Sequence, residues 1–284
     1  MSIVVTGATG QLGRLVVEQL LERVPAAQIT AVVRDQAKAA GLTARGVRTA
    51  IADYNAPETF EGLFTAGDKV LLISGNEFDK GRVRQHQAVI DAAAAAGVAL
   101  LAYTSAPGTL TAALADDHRA TEEVLRASGL PYSLLRNGWY HENYTEHLAP
   151  VLEHAAVVAA AGDGRVSSAS RADYAAAAVA VLTGEGHENT TYELGGDEAW
   201  GFAEYAAELS RQTGREIAYT PVSVEALTGI LTGSGLPAPL ARILAGVDAS
   251  IEKGELVVSS GDLSRLIGRP TTPLAEAVGA ALKG

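Results

Sequence analysis

The chain has 284 residues, of which 48% are hydrophobic and 19% charged, so it can bury a substantial core and its composition argues against disorder. The formal net charge of −11 has the wrong sign for general nucleic-acid binding, although a local basic pocket for a small anion is compatible with it. Cysteine is absent, which excludes disulfides, thiolate metal sites and cysteine nucleophiles.

Apolar runs alternate with helical patterns through the first half of the chain. The predicted strands are Ile3–Thr6, Ile29–Val33, Val47–Ile51, Lys69–Ser74, Val98–Thr104 and Leu130–Leu135. The predicted helices between them are Gln11–Arg23, Arg82–Ala96 and Leu114–Ser128, of which the last two are closed by Gly97 and Gly129. This alternation predicts parallel βαβ units with right-handed crossovers. The apolar strands predict a sheet that is covered by helices on both faces.

The pattern changes beyond about residue 150. Val157–Ala161 and Thr191–Leu194 are strand-like and flank an alanine-rich helix, Arg171–Leu182, so the chain is expected to return to the sheet around residues 157–194. From Ala199 onwards, short helices are separated by glycine and proline. We therefore predict a first domain over residues 1–150 and a smaller, mostly helical C-terminal lobe over residues 195–284.

Three glycines stand between the first strand and the first helix, in the run GATGQLG. A helix N-terminus offers unpaired N–H groups and a partial positive charge, which suit a pyrophosphate. In that role Gly7 permits a tight turn, Gly10 lets a phosphate approach the backbone, and Gly13 lets the helix pack closely on the strand. The alternative is an ordinary glycine-rich turn, but the position and the following βαβ pattern favour nucleotide binding.

The ends of the next strands offer further candidates. The second strand ends with Arg34 where NAD-binding folds usually carry an acid, and an arginine there suits a 2′-phosphate. Asp35 follows it directly, so a solvent-facing Arg-Asp pair is the alternative. Asp53 after the third strand and Ser74–Asn76 after the fourth are expected to flank the cofactor, with simple turn chemistry as the alternative.

Several motifs together resemble one family: TGATGQLG, AVVRD, LLIS, LAYTSA, LPYSLLRNGWYHENY, AAGDGR and SRADYAAAA. The chain is similar to the NmrA-like atypical short-chain dehydrogenases and, more closely, to bacterial type 2 NAD(P)H:quinone oxidoreductases. The resemblance implies a Rossmann-like, doubly wound α/β fold, NADPH as cofactor of the first domain, and a quinone as substrate. It also implies that these residues line the cofactor or substrate cleft: Gly7, Ala8, Thr9, Gly10, Gln11, Leu12, Arg34, Ser74, Gly75, Asn76, Gly138, Trp139, Tyr140, His141, Glu142 and Asn143. Asp53 resembles the acidic position that contacts adenine, and Arg171 is a weaker ligand candidate.

The segment LRNGWYHENY leaves the sixth predicted strand at the carboxyl edge and concentrates aromatic and amide side chains. Trp139 and Tyr140 can stack on a flat ring, and the amide of Asn137 can hold a quinone oxygen or a carboxamide. We therefore predict Asn137 and Tyr140 as catalytic residues. The alternative is an aromatic hinge that packs the two lobes together, and both roles can coexist.

The Tyr-x-x-x-Lys pair that usually transfers protons in the larger superfamily is missing. His118 falls about where many NmrA-like reductases keep a lysine, although a surface histidine on a polar helix is an equal interpretation. The remaining histidines show no metal-ligand spacing, so no metal site is predicted.

Two functions compete. The first is an NADPH-dependent quinone reductase that transfers hydride directly, without flavin or metal. The second is a non-catalytic redox sensor that binds NADP(H) and controls a partner. Because no apolar run is long enough to span a bilayer and no basic region precedes the first strand, we expect no membrane insertion, no signal peptide and a cytoplasmic location. The oligomeric state is open, with a homodimer as one option.

Overall fold

The structure is a computed structural model that describes residues 2–76, 81–112 and 115–283. Its strands are β1 (Ile3–Val5), β2 (Ile29–Val33), β3 (Arg48–Ile51), β4 (Lys69–Leu72), β5 (Leu100–Ser105), β6 (Tyr132–Asn137), β7 (Ala156–Ala159), β8 (Arg165–Val166), β9 (Thr190–Leu194), β10 (Trp200–Gly201) and β11 (Ala218–Pro221).

Its α-helices are α1 (Gln11–Leu20), α2 (Ala40–Ala44), α3 (Arg82–Ala96), α4 (Asp116–Ala127), α5 (Glu142–Thr145), α6 (Leu148–His154), α7 (Arg171–Thr183), α8 (Phe202–Thr213), α9 (Val224–Gly233), α10 (Ala238–Glu252), α11 (Asp262–Ile267) and α12 (Leu274–Ala281). Among these described helices, none combines the length and the apolar character that crossing a bilayer requires.

The chain divides into two compact units, and the first holds the main sheet. This unit comprises Met1–Ala106, Asp117–Asn137 and Arg171–Tyr192. The seven-stranded sheet has the order β3-β2-β1-β4-β5-β6-β9, and the pairs from β3 to β6 are all parallel. Ile3 of β1 is in register with Ile29 on one side and Lys69 on the other, so the chain winds away from β1 in both directions. The expected doubly wound α/β fold is confirmed.

The core of the first unit lies between the sheet and its helices, because the strand residues are apolar on both faces. Val4, Leu72 and Leu101 of the sheet pack with Val89 and Ile90 of α3, and all five are at most 1% exposed. Helix α1 packs on α7, where Nε2 of Gln19 donates to the carbonyl oxygen of Ala172 at 3.0 Å.

The second unit comprises Pro107–Asp116, Gly138–Ser170 and Glu193–Gly284. It contains two small sheets, in which β11 pairs with β7 in parallel and β10 pairs with β8 in antiparallel. The ring of Tyr144 meets Trp200 and Phe202 edge-on, with ring centroids 5.0 and 5.5 Å away.

The predicted bounds are confirmed for β2 and α3, whereas other elements shift at their ends. Helix α1 ends at Leu20, three residues before the predicted end at Arg23. The predicted start of the helix at Leu114 lies outside the described residues. The region after residue 195 is less purely helical than expected, because β10 and β11 form by pairing with distant strands. The domain boundaries at residues 150 and 195 stay predictions.

Candidate functional site

The order of the sheet places a crevice beside β1 and β4. These neighbouring strands connect in opposite directions, so the chain segments that leave their carboxyl ends diverge and leave room for a ligand. The predicted residues Gly7–Gly13 follow β1, and Ser74–Asn76 follow β4. Arg34 and Asp53 follow β2 and β3 on the same edge. The first unit therefore brings together the candidates that the sequence placed after four different strands.

The turn from β1 to α1 has the geometry that its glycines suggest. Gly7 has a φ of +61°, a conformation that side chains disfavour, and the amide of Gly10 donates to its carbonyl oxygen at 2.9 Å. A Cβ on Gly13 would lie 2.8 Å from Cα of Ala8 and even closer to the carbonyl oxygen of Gly7. Gly7, Gly10 and Gln11 are exposed, so the N-terminus of α1 is open to an anion.

Ala8 and Leu12 differ from the other predicted residues of this turn. Both side chains are buried, at 0% and 9% exposure, and pack into the interior. Ala8 and Leu12 can therefore contribute to cofactor binding only through their backbone atoms.

A basic pocket lies next to the glycine turn. Its volume is about 280 Å³, and its lining includes Thr9 of the turn together with Arg14, Lys38 and Arg45. One acid, Glu18, also lines it, with an oxygen 3.8 Å from the guanidinium of Arg14. In a protein of net charge −11 this local excess of cations favours the binding of an anion. The sequence does not predict this group of three cations, because they lie in separate segments that only the fold brings together.

The acids next to Arg34 and after β3 are engaged in local turns. Oδ1 of Asp35 accepts from the amide of Ala37 at 2.9 Å and caps the 3₁₀-helix that follows β2. Oδ1 of Asp53 accepts from the amide of Asn55 at 2.9 Å. Arg34 itself is exposed. The carboxylate of Asp35 thus has a structural role, whereas contacts of Arg34 or Asp53 with a cofactor stay predictions.

The aromatic segment after β6 belongs to the second unit from Gly138 onwards. The amide of Ala169 donates to the carbonyl oxygen of Trp139 at 3.1 Å, and the amide of His141 donates to that of Ala169 at 3.0 Å. Trp139 and Tyr140 are half-buried. The segment is not one loop as expected, because α5 begins at Glu142.

The side chain of His141 is fully used inside the second unit. Its Nδ1 lies 2.8 Å from Oγ of Ser168, its Nε2 lies 2.9 Å from the carbonyl oxygen of Thr272, and the residue is 2% exposed. The indole N–H of Trp200 donates to the same serine oxygen at 2.8 Å. This network stabilises the unit and does not support a ligand role for the imidazole.

His118 is buried, so its interpretation as a surface histidine is wrong. It is 8% exposed, and its Nδ1 lies 2.8 Å from the hydroxyl of Tyr103. Burial, together with the charge of Arg82 and then His86, lowers the pKa of His118 to about 3. The spacing could have shown this, since His118, Thr121, Glu122 and Leu125 share the buried face of α4.

Arg171 is also buried at 8% exposure, at the start of α7.

Comparison with known proteins agrees with this geometry. Residues 7–185 match the family described as NAD(P)H-binding. The chain is 48% identical over 278 residues to quinone oxidoreductase 2 of Escherichia coli (strain K12), covering 97% of each chain. It superposes on the NADPH-dependent quinone oxidoreductase of Escherichia coli complexed with NADPH with a TM-score of 0.95 and 47% identity, covering 99% of both chains. The Citrobacter sp. triphenylmethane reductase complexed with NADP(H) matches with a TM-score of 0.94 and 43% identity, covering 99% of this chain and 100% of that one. From the glycine turn, the crevice and these relatives, we conclude that the chain belongs to the NAD(P)H-binding family.

Proposed function

We propose that this protein is an NADPH-dependent quinone oxidoreductase. One observation carries the proposal: a solvent-open glycine turn at the crevice of a doubly wound sheet, beside a pocket lined by three cations. The likeness to a quinone oxidoreductase over 97% of both chains supports the same activity and the same kind of substrate.

The residues of the first unit fit a dinucleotide that carries a 2′-phosphate. The exposed N-terminus of α1 after Gly7 and Gly10 suits the pyrophosphate, because the first N–H groups of a helix have no partner within the helix and carry a partial positive charge. Arg34 and Lys38 supply positive charge beyond β2, where a 2′-phosphate would replace the acid of NAD-binding proteins. NADPH, when bound, supplies the hydride for the reduction.

For the substrate, we propose Asn137 and Tyr140 as the residues that orient the quinone ring. Asn137 ends β6 with an amide that can donate to a quinone oxygen. Tyr140 is half-buried and presents an aromatic ring that can stack on another flat ring. Both roles rest on the chemistry of these side chains and on the resemblance to the family. We further propose a cytoplasmic location and leave a homodimer as an option to be tested by sedimentation.

The test is NADPH consumption with a simple benzoquinone, followed at the absorbance of the reduced nicotinamide. We expect quinone-dependent oxidation that is faster with NADPH than with NADH, in protein freed of metal by dialysis against a chelator and shown by its visible absorbance to contain no flavin. A triphenylmethane dye in place of the quinone checks for the substrate of the Citrobacter relative. Binding of NADPH without turnover of any acceptor would contradict the proposal and support the redox-sensor function instead.

A further inference from the structure

The segment that leaves β4 is held in an unusual way. In a regular strand the backbone amides donate to carbonyl oxygens of a neighbouring strand. Here three successive amides donate to side chains: Ile73 to Oγ1 of Thr6 at 3.1 Å, Ser74 to Oγ1 of Thr104 at 2.9 Å, and Gly75 to Nε2 of His86 at 3.0 Å. We call the three acceptor side chains, Thr6, Thr104 and His86, the β4 clamp.

The clamp is built into the core on three sides of the segment. Thr6 follows β1, Thr104 lies in β5, and His86 lies in α3. The three residues are 0%, 3% and 0% exposed, so water does not compete for their hydrogen bonds. The clamped segment also includes Ser74 and Gly75, which are predicted to flank the cofactor.

The hydrogen bonds fix one tautomer of His86. The amide of Gly75 can only donate, so Nε2 of His86 must be an unprotonated acceptor. The proton is therefore on Nδ1, which lies 2.9 Å from Oγ1 of Thr121. The hydroxyl of Thr121 donates in turn to the carbonyl oxygen of Asp117 at 2.7 Å, so it is able to accept from Nδ1. Burial, and secondarily the charge of Arg82, lowers the pKa of His86 to about 3, which keeps the ring a neutral acceptor.

We propose that His86 is a positioning residue that, with Thr6 and Thr104, fixes the backbone of residues 73–75 in the course that cofactor binding needs. The inference rests on the proposed NADPH site. Since all three amides are used by the clamp, this side of the crevice offers no backbone N–H from residues 73–75 to a phosphate. The phosphates are left to the glycine turn after β1, where Gly7, Gly10 and Gln11 are exposed at the start of α1.

The first test compares His86→Leu with His86→Gln. Leucine fills the space without an acceptor, whereas the side-chain oxygen of glutamine reaches the place of Nε2. We expect His86→Leu to raise the Kd and the KM for NADPH by roughly fivefold to twentyfold, the effect of one lost hydrogen bond and a less ordered segment. We expect kcat to stay within about threefold, and His86→Gln to restore binding to within about threefold of the parent protein.

His187→Leu is the control, because His187 lies in the same unit but outside the β4 clamp, with its Nδ1 2.7 Å from the hydroxyl of Tyr192. We expect it to lower the melting temperature without changing the Kd for NADPH. Thr104→Val, which is nearly isosteric, replaces His86→Leu if the latter does not fold, and it is expected to raise the Kd by about fivefold.

Amide hydrogen exchange in the cofactor-free protein provides a readout that does not depend on the proposed function. Slow exchange at Gly75 in the parent and in His86→Gln, with exchange at least about tenfold faster in His86→Leu, supports the clamp. Unchanged NADPH affinity in folded His86→Leu and Thr104→Val overturns the inference, as does a folded His86→Gln that binds no better than His86→Leu. A parent protein that shows slow exchange at Gly75 but binds no NADPH would refute the proposed function and not the clamp.

Discussion

Arg34 directly follows the buried strand β2 and is exposed at the carboxyl edge of the sheet. A charge-assisted contact with the 2′-phosphate is worth on the order of 1.5–3 kcal/mol, so Arg34→Ala should weaken NADPH binding by roughly 10- to 100-fold and leave NADH binding nearly unchanged. Titration of both cofactors measures this. Arg48→Ala is the control: it removes an exposed cation from the start of β3, at the amino ends of the parallel strands, whereas Arg34 lies at their carboxyl ends. Equal losses for the two cofactors would show that Arg34 does not recognise the phosphate.

Tyr140 can be replaced without breaking the backbone contacts of its segment. Two hydrogen bonds of this segment join the backbones of Trp139, His141 and Ala169, and Tyr140→Ala leaves these two intact. We expect the variant to melt within a few degrees of the parent and to lose most quinone turnover at saturating NADPH, because the stacking surface is gone. Full activity, or a variant that does not fold, would instead favour the aromatic hinge that packs the lobes.

His118 is not needed as a proton donor. Its imidazole is neutral, since burial lowers its pKa to about 3, and the reaction produces only a weak base. Hydride addition to a quinone leaves a phenol-like anion whose conjugate acid has a pKa of about 10, compared with about 15.7 for the water-like alcohol formed from a ketone. We therefore expect His118→Ala to keep kcat within about tenfold, below the 10²–10⁴ loss typical of a missing general acid. A loss of about 10³ in a folded variant that binds NADPH would identify His118 as the donor.

At the scale of the element, helix α1 packs closely against the end of β1 because Gly13 has no side chain. A Cβ on Gly13 would lie 2.8 Å from Cα of Ala8, and backbone cannot move aside as a flexible side chain can. Gly13→Ala should therefore destabilise the fold by about 1–3 kcal/mol through overpacking. Gly229→Ala, in α9 with no atom within 4 Å of the added Cβ, should instead be neutral or stabilise by up to about 1 kcal/mol. Denaturant unfolding of both variants distinguishes the effects, and equal stabilities would contradict the close packing of α1.

The sequence predicts most elements of the main sheet but not where each one ends. Helix α3 was predicted with its correct bounds because an alanine-rich run ends at Gly97, which adopts the left-handed conformation with a φ of +68°. Strand β4 was predicted through Ser74 but ends at Leu72, because the next amides donate to Thr6, Thr104 and His86 from distant parts of the chain. A local sequence pattern cannot predict hydrogen-bond acceptors that lie so far away in the chain.

The same limit applies to the candidate site. The glycine turn and Arg34 are readable from sequence, since spacing and strand position define them. The basic pocket is not, because Arg14, Lys38 and Arg45 come from three separate segments. The burial of His118 is hard to predict for a different reason: α4 carries many charged residues, and only His118, Thr121, Glu122 and Leu125 are buried in it.

At the scale of the whole molecule, one acid makes stability depend on pH. Asp248 in α10 accepts from the amide of Ala160 at 2.8 Å, and burial raises its pKa from 3.8 to about 6. The folded protein therefore resists ionisation of this group. Its contribution to stability is fully present below about pH 4 and is lost as the pH rises through about 6.

Asp248→Asn removes this titration while keeping an oxygen for the amide of Ala160. Relative to the parent, the variant should gain on the order of 1–3 kcal/mol between about pH 4 and pH 8. Melting curves of both proteins at each pH measure the difference, in which the effects of all other titrating groups cancel. A difference that is the same at both pH values would contradict the raised pKa.

The strand at one edge of the main sheet is also among the last parts of that sheet to be synthesised. β9 begins at Thr190, whereas its neighbour β6 ends at Asn137. A ribosome that adds 5–20 residues per second needs roughly 3–10 s to make the chain between them. During that time one side of β6 has no strand to pair with, and open strand edges attract other nascent chains. Yield in a host that translates slowly would then depend on chaperone capacity during synthesis rather than on the stability of the finished protein.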